Sequence, residues 1–393
     1  MSGSQTALRE ANRAVVVTAV RRHGGLTQVE LAGATGLSPA TVSNIVRELQ
    51  GAGVVDVRMT VRSGRRAQLV TLAHRPGLAV GVHIGARHLR LAVADSALEV
   101  LAEQTLPLPF EHRVDTSLDR MALLLVDLLD RVGASMSEVL GVAIGLPAPV
   151  DTATGMVSVP GILRGWDDVP VAQVLAKRLG VPVFVDNDAN LGALAENRLG
   201  AARPYRDAVY VRASHGTGAG VVLAGQLHRG FAGTAGEIGH VQVDASGDIC
   251  QCGSRGCLNT VVGAPSLLAS LRASRGALTL RDIISLASDG DPGCSQVIAD
   301  AGATIGAVVS GLAMAVNPQC VVVGGELAET GELFLGPMRE AIRRRVLLNH
   351  IAPLEVFGAE LAGRAEVVGA LVLAVESTDV LAAFDGPALV REG

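Results

Sequence analysis

The sequence predicts an α/β protein in which a small basic helical head precedes a larger acidic body. The length of 393 residues exceeds that of one compact domain and indicates two or three. Residues 1–75 contain ten arginines and four acids, a net charge of +6, so the rest of the chain carries −11 of the total of −5. Helical spacing dominates the head, whereas apolar strands and helices alternate through the body. A basic domain on an acidic body is typical of proteins that bind nucleic acid.

Composition narrows the class of protein further. Apolar residues make up 49% of the chain, enough for sizeable cores, and the aromatic content of 2% argues against an aromatic-lined groove for single-stranded nucleic acid. The longest apolar runs, such as residues 304–316, are shorter than the roughly 20 residues that span a bilayer. No signal-peptide pattern occurs, and five cysteines, three of them clustered, fit a reduced compartment. We therefore expect a soluble cytoplasmic protein without a membrane partner.

Three helices are predicted in the head. Apolar residues at helical spacing predict the first over residues 7–23. Thr27 and Glu30 have capping-box spacing and open the second helix, which Gly36 closes. The third runs over residues 38–50 and opens with an N-cap serine and a proline at the first helical position.

Two predicted strands follow, residues 54–58 and 67–72, around an arginine-rich tip at residues 62–66. Three helices and a hairpin form the pattern of a winged helix-turn-helix domain, whose last helix lies in the major groove while the wing meets the minor groove or phosphates. A helical protein-interaction module with a solvated basic face is the alternative. The predicted DNA contacts are Ser38, Thr41, Ser43, Asn44 and Arg47 on the third helix and Arg62, Arg65 and Arg66 on the wing.

Polar residues at the end of a buried strand mark a candidate ligand site in the body. The predicted strand over residues 181–185 opens directly onto Asp186-Asn187-Asp188 and a helix that runs to residue 199. Such strand ends are where ligands bind in α/β folds, although Asp188 as a plain helix N-cap is the alternative. Residues 214–220 form a glycine-rich stretch that is compatible with both a phosphate loop and an ordinary tight turn.

One histidine and three cysteines predict a zinc site. His240 precedes Cys250, Cys252 and Cys257, and these four donors complete a tetrahedral coordination shell. Four protein ligands leave no open position for water, so the zinc would be structural rather than catalytic. The alternative is a set of ordinary buried cysteines.

The same region resembles the ROK family, a name that covers bacterial repressors and sugar kinases. The resemblance rests on Glu237-Ile238-Gly239-His240, the Cys-x-Cys-Gly-x-x-Gly-Cys that follows, and Asn187-Asp188. It implies a two-lobed actin-like ATPase fold for the body, with sugar bound between the lobes beside the zinc loop. The sugar-contacting residues that it implies are Asn187, Asp188, Glu237, His240 and Asn259, the last of which stands where the family has glutamate. We expect the head over residues 1–75, with a linker at 74–77, and the two lobes over 76–195 and 196–393.

The chain departs from the family at the first hairpin of the body. ROK kinases read Asp-x-Gly-(Gly)-Thr there, and the aspartate serves Mg²⁺; this chain has His83-Ile84-Gly85-Ala86-Arg87. The acid is missing, and Arg87 or His88 stands at the hydroxyl position. The resemblance implies that Asp188 matches the general base of the kinases. Because the Mg²⁺-serving acid is missing, we expect this chain to bind sugar without phosphoryl transfer and not to be an enzyme.

These features predict a sugar-responsive transcriptional regulator, a repressor released from its operator by the sugar. Its expected partners are duplex DNA, a small sugar or sugar derivative, and further copies of the chain in a homodimer or homotetramer. An ATP-dependent sugar kinase with an extra DNA-binding domain is the alternative of a different class. A DNA-binding scaffold that senses nothing is a third hypothesis, motivated by Asn259.

Overall fold

The computed structural model describes residues 2–62, 65–73, 77–109, 112–346 and 353–378. Its N-terminal part is a bundle of three helices against a three-stranded antiparallel sheet in the order β1-β3-β2. The elements are α1 (Ser2–His23), β1 (Leu26–Thr27), α2 (Gln28–Thr35), α3 (Pro39–Gly51), β2 (Val55–Arg62) and β3 (Arg65–Leu72). This arrangement confirms the predicted winged helix-turn-helix head. Most of the predicted linker, residues 74–76, lies outside the described residues.

Local sequence signals account for the helix boundaries of the head. The Thr27 hydroxyl accepts from the Glu30 N–H, and the Glu30 carboxylate accepts from the Thr27 N–H, which confirms the capping box. Gly36 ends α2 with φ of 70°, a left-handed conformation that favours glycine. The Ser38 hydroxyl caps α3 by accepting from the Thr41 N–H. The apolar faces meet in a core that includes Val16, Val20, Leu31, Val42, Ile45, Val46, Leu49, Val55 and Val70.

The wing is longer than predicted, and its arginines lie on strands rather than in a loop. Arg62 pairs with Arg65 and Val61 pairs with Arg66, so only Ser63 and Gly64, which lie outside the described residues, separate the strands. Continued pairing satisfies backbone N–H and C=O groups that a five-residue tip would leave to water, and two-residue hairpin loops are the commonest kind.

The first half of the body is built on a five-stranded sheet in the order β10-β7-β4-β5-β6. Helices pack on one face over a core that includes Leu91, Leu125 and the buried Trp166. The elements are β4 (Leu78–Ile84), β5 (His88–Asp95), β6 (Val100–Pro107), α4 (Val114–Arg131), β7 (Val139–Leu146), β8 (Val150–Asp151), β9 (Met156–Val157), α5 (Val171–Leu179), β10 (Val183–Asn187) and α6 (Asp188–Arg198).

The second half has its own five-stranded sheet, in the order β13-β12-β11-β14-β15. Five helices cover one face of it, over a separate core. The elements are β11 (Ala208–Ala213), β12 (Thr217–Leu223), β13 (Gln226–His228), α7 (Leu258–Val262), α8 (Ala264–Arg275), α9 (Leu280–Ser288), α10 (Pro292–Val316), β14 (Cys320–Gly324), α11 (Glu332–Arg345), β15 (Glu355–Gly358) and α12 (Ala365–Ser377).

Helices α6 and α12 lie between the two sheets and share one core with both. They cross closely, because a Cβ at Gly369 would lie 1.9 Å from the Leu191 carbonyl oxygen. Helix α12 packs against β4 and β7 of the first sheet. The predicted lobe boundary between residues 195 and 196 assigns this helix to the second lobe and so misses that packing. The domain boundaries stay a prediction.

Helix α10 is the one helix, within the described ranges, whose length and composition would allow it to cross a membrane. It is 25 residues long and includes the predicted apolar run at 304–316. Cβ atoms at its Gly302 and Gly306 would lie 2.3 Å and 2.6 Å from carbonyl oxygens of α11. Its apolar character is therefore explained by a close crossing with α11 and by burial of one face in the core.

Candidate functional site

The four predicted metal ligands lie together. The donor atoms of His240, Cys250, Cys252 and Cys257 all lie within 4.8 Å of one another. His240 Nδ1 is 3.5 Å from Cys250 Sγ, and Cys252 Sγ is 3.7 Å from Cys257 Sγ. Zn–S bonds of about 2.3 Å in a tetrahedron place two sulfurs about 3.8 Å apart, so the cluster has the dimensions and donors of a zinc site.

The loop that carries the cysteines folds tightly on itself. Gly256 has φ of 63°, and a Cβ there would lie 1.5 Å from the Asp244 carbonyl oxygen, so only glycine fits. Burial and the neighbouring sulfurs raise the pKa of the Cys257 thiol to about 12. A bound divalent cation would remove this electrostatic cost of clustered thiolates. Because Nδ1 of His240 faces the sulfurs, its other ring nitrogen is left for a different partner.

Asn187, not Asp188, is the N-cap of α6. The Asn187 side-chain oxygen accepts from the N–H groups of Ala189 and Asn190 at 2.8 Å and 3.2 Å, and its amide donates to the Ala148 carbonyl at 3.1 Å. The alternative interpretation of Asp188 as a plain cap is therefore wrong. One amide hydrogen of Asn187 has no partner among the described residues.

Asp188 is the first residue of α6, and its side chain is 6% exposed within a buried charge network. Its Oδ2 lies 3.4 Å from Arg212 Nε and 3.6 Å from His83 Nε2. Arg212 Nε donates to Glu366 Oε1 at 2.8 Å, so one guanidinium joins the first turns of α6 and α12. Burial raises the pKa of Asp188, but Arg212, His83 and the Ala189 N–H together lower it by more, and the pKa lies below its usual value.

His83, which we predicted to stand in place of the kinase aspartate, is buried. Its Nδ1 is 3.2 Å from Nε2 of His88, with the two rings edge to face. Arg87 is exposed, so of the two residues that we placed at the hydroxyl position, His88 is the one that reaches the site. Burial and the neighbouring His83 lower the pKa of His88 to about 3, which keeps this imidazole neutral at physiological pH.

Glu237 and Asn259 complete the set of predicted sugar contacts. Burial and the nearby Asp188 raise the pKa of Glu237 to about 7, and this carboxyl forms no hydrogen bond or ion pair with another described residue. The Asn259 side-chain oxygen accepts from the Thr217 N–H at 2.8 Å, which leaves its amide hydrogens for another acceptor. A Cβ at Gly239 would lie 2.4 Å from the Asn259 amide nitrogen, so these two segments are in close contact.

The predicted glycine-rich turn is shorter than expected. Strand β12 begins at Thr217, so only residues 214–216 form the turn. Gly220 is a packing glycine rather than part of a phosphate loop, because a Cβ there would lie 2.5 Å from the Ala189 carbonyl oxygen of α6. Ser214 Oγ donates to Glu326 at 2.7 Å, and His215 Nδ1 lies 3.2 Å from the same carboxylate. Burial raises the pKa of Glu326, but these two contacts and the charge of Arg212 together lower it to about 2.

Sequence reasoning missed Arg212, Glu366 and Glu326. Arg212 is the one charged residue of a strand that is otherwise apolar, and Glu366 opens a helix of mostly apolar residues. A lone charge in a buried element needs a partner, and that signal was available. The identity of the partner could not be predicted, because Arg212 and Glu366 are 154 residues apart in the sequence.

The predicted DNA contacts differ in how free their side chains are. Asn44 and Arg47 are exposed on α3, and Arg47 Nη1 donates to Asn44 Oδ1 at 3.4 Å. Ser38 Oγ is already engaged, because it accepts from the Thr41 N–H and lies 2.8 Å from Thr41 Oγ1. Thr41 and Ser43 are half-buried. Arg62 Nε donates to Glu30 at 3.1 Å, Arg66 is exposed, and the side chain of Arg65 lies outside the described part.

Comparison with known proteins agrees with this architecture. A family profile described as "ROK family" matches residues 79–377, and one described as "Winged helix-turn-helix DNA-binding" matches residues 16–56. The chain is 30% identical to the DNA-binding transcriptional dual regulator NagC of Escherichia coli K12, over 94% of each chain. It is 27% identical to the xylose repressor of Bacillus subtilis strain 168, over 93% of this chain and 95% of that one.

Two solved structures are similar in fold. A ROK family transcriptional regulator, described as a homologue of the E. coli MLC protein, aligns over 96% of this chain and 97% of its own with a TM-score of 0.76 and 24% identity. A ROK family glucokinase from Streptomyces griseus, in complex with glucose and AMPPNP, aligns over 77% of this chain and 99% of its own with a TM-score of 0.68 and 27% identity. The glucokinase match covers a share of this chain close to that of the family profile, and the regulator match extends over the head as well. The chain belongs to the ROK family and carries an N-terminal winged helix-turn-helix domain.

Proposed function

We propose that this protein is a sugar-responsive transcriptional repressor that binds duplex DNA through its head and is released when a sugar binds its body. The observation that carries the proposal is the combination, in one chain, of a winged helix-turn-helix domain with a ROK body. We add the prediction that His83 replaces the kinase aspartate. Relatives that match over nearly the whole chain are named as a xylose repressor and as a DNA-binding transcriptional regulator.

In this proposal α3 reads the major groove. Asn44 and Arg47 are exposed and would meet base edges. Thr41 and Ser43 are half-buried on the same helix, and the exposed Ser38 caps its N-terminus. The wing arginines, Arg62, Arg65 and Arg66, bind phosphates or the minor groove and supply affinity that falls with salt.

The sugar binds between the two sheets and beside a structural zinc. His240, Cys250, Cys252 and Cys257 would hold the zinc, whose charge neutralises the thiolates and fixes the loop. The residues that meet the sugar hydroxyls are Asn187, Asp188, Glu237, His240 and Asn259. Free hydrogen-bonding capacity on Asn187, Glu237 and Asn259 supports this assignment.

We infer that the site binds sugar without phosphorylating it. A kinase base needs a carboxylate that accepts a proton, but Asp188 faces Arg212 and His83, and its pKa is lowered. Mg²⁺ prefers carboxylate oxygens, and the residue that we match to the kinase aspartate is His83, whose ring nitrogens face His88 and Asp188. A coupled ADP-release assay with sugar and Mg²⁺–ATP should therefore show no turnover.

A structural route for the sugar signal is available along β5. This strand begins at His88, beside the site, and ends at the turn that contains Ser96 and Ala97. Ser96 Oγ donates to the Ala73 carbonyl, and Ala97 packs against the core of the head. The proposal includes a homodimer or homotetramer, because two heads then meet two half-sites and a change in their spacing weakens binding. We also propose that the protein is cytoplasmic.

Two binding experiments on the full-length protein test the proposal. Selection from a random duplex library should recover a sequence motif with two half-sites. A thermal-shift screen of pentoses, hexoses and N-acetylated hexosamines should raise the melting temperature for at least one of them, because a ligand of the folded state stabilises it. Selection without a motif, or a screen without any stabilising sugar, would contradict the proposal.

A further inference from the structure

Two buried polar atoms of the site face each other without a hydrogen-bond partner. Neither His83 Nε2 nor Asp188 Oδ2 forms a hydrogen bond within the described residues, although both side chains are at least 94% buried. They lie 3.6 Å apart, beyond hydrogen-bond length for this pair. Asp188 Oδ2 is ion-paired with Arg212 Nε at 3.4 Å, but neither it nor His83 Nε2 has its hydrogen-bonding capacity used, and a ligand group can use it.

The orientation of His83 is fixed from its other side. Its Nδ1 lies 3.2 Å from His88 Nε2, and the two rings meet at 77°. Gly85 makes room for this arrangement, because a Cβ there would lie 3.0 Å from the His88 ring. One ring nitrogen of His83 is therefore occupied, and the other is held towards the carboxylate of Asp188.

The charge around this pair is predominantly negative. Asp188 and Glu366 share the guanidinium of Arg212, and the carboxyl of Glu237 lies near enough to Asp188 for their charges to interact. A group bound between His83 and Asp188 thus meets more carboxylates than cations. A hydroxyl, which both donates and accepts, suits the pair; a phosphate dianion is repelled.

We propose that His83 and Asp188 together bind one hydroxyl of an unphosphorylated sugar, so that His83 recognises the effector and the phosphate ester at that hydroxyl is excluded. This inference rests on the proposed function and adds the chemical class of the ligand. The hydroxyl donates to Asp188 and accepts from His83 Nε2.

The test uses the full-length protein and titration calorimetry. Glucose, xylose and N-acetylglucosamine are the first probes, followed by monodeoxy analogues of whichever binds and by the phosphate ester at the hydroxyl that those analogues identify. We expect His83→Leu to weaken binding of the sugar at least about tenfold, as for a lost hydrogen bond to a charged site. His83→Gln, which keeps a donor at similar reach, should retain part of the affinity. The matched control is His228→Gln, an exposed histidine on β13, which should bind as the wild type does.

A cycle of protein and ligand changes separates recognition from a structural role. The analogue that lacks the recognised hydroxyl should bind weakly to the wild type and suffer no further loss in His83→Leu. If His83→Leu does not fold, His83→Gln with the same analogues gives the same cycle. The phosphate ester should bind at least about tenfold more weakly than its parent sugar.

The outcomes distinguish this inference from the proposed function. Equal binding by wild type and His83→Leu, or an ester that binds as tightly as its parent, would overturn the inference and leave the regulator intact. Failure of all sugars and esters to bind would count against the proposed function and this inference together.

Discussion

Replacing Arg212 with methionine should destabilise the body strongly and in a pH-dependent way. Methionine replaces the guanidinium with an unbranched apolar side chain. The change leaves the carboxylates of Asp188 and Glu366 unpaired, with side chains that are 6% and 5% exposed. Removing one partner of a buried ion pair costs about 3–5 kcal/mol. We expect a loss in the free energy of unfolding of this size at pH 7.

The pH dependence follows from the direction of the pKa shifts. In the wild type the pKa of Asp188 is lowered, so its contribution to stability is present at neutral pH and is lost as the pH falls through that lowered pKa. Without the guanidinium, burial should raise the pKa of Asp188, and the variant should lose stability as the pH rises through that raised value. The difference between the two proteins should therefore widen as the pH rises from acid to neutral.

Urea unfolding followed by tryptophan fluorescence measures this difference. Trp166 is the sole tryptophan, and it lies in the core of the first sheet, so the signal reports the body and not the head. The variant should show a lower midpoint with an unchanged slope. Glu366→Gln in the Arg212→Met background should recover part of the loss, because it removes one unpaired charge.

Arg178→Met is the matched control. Arg178 pairs with Asp119 at 2.5 Å on the surface, with side chains that are 44% and 63% exposed, and such pairs contribute about 0–1 kcal/mol. If Arg212→Met cost no more than Arg178→Met and its effect did not change with pH, the network would not stabilise the body as we argue.

Three further predictions concern the metal, the helix crossing and the head. Cys252→Ser should reduce the zinc content from about one per chain to well below that, as measured by elemental analysis after dialysis; full zinc would contradict the assignment. Gly369→Ala should cost about 1–3 kcal/mol in urea unfolding because its Cβ meets a carbonyl oxygen of α6, whereas Gly311→Ala, whose Cβ meets nothing within 4 Å, should be neutral or stabilising. Asn44→Ala should change sequence preference in a binding-site selection, whereas Arg66→Ala should weaken binding to all duplexes and flatten its salt dependence; the reverse pattern would mean that α3 is placed wrongly.

Elements with local signals could be predicted, and those that depend on distant pairing could not. The Thr27 capping box and the Ser38 N-cap are short-range patterns, and both gave the correct helix starts. Strands β1 and β15 are two and four residues long and exist because they pair with β3 and β14, which no local pattern reveals. Gly218 and Gly220 favoured a loop in the sequence analysis, but they lie on β12 and allow α6 to pack closely against this strand.

The candidate site divides in the same way. The metal cluster was predictable because its ligands lie within 18 residues, from His240 to Cys257, and they do lie together. Only one member of the buried charge network could be predicted from the sequence. Asp188 was identified from its place at the end of a strand, whereas Arg212 and Glu366 become its neighbours only through the packing of α12 between the two sheets.

The coupling between sugar and DNA tests the central claim most directly. A duplex from the selection, labelled with a fluorophore, is titrated with the protein, with and without a saturating amount of the stabilising sugar. Binding is followed by anisotropy at fixed salt. We predict that the sugar weakens operator binding at least tenfold, about 1.4 kcal/mol, that the operator weakens sugar binding by the same factor, and that Asp188→Asn reduces the sugar affinity and needs more sugar for release. A sugar that binds the protein and leaves its operator affinity unchanged would contradict the account.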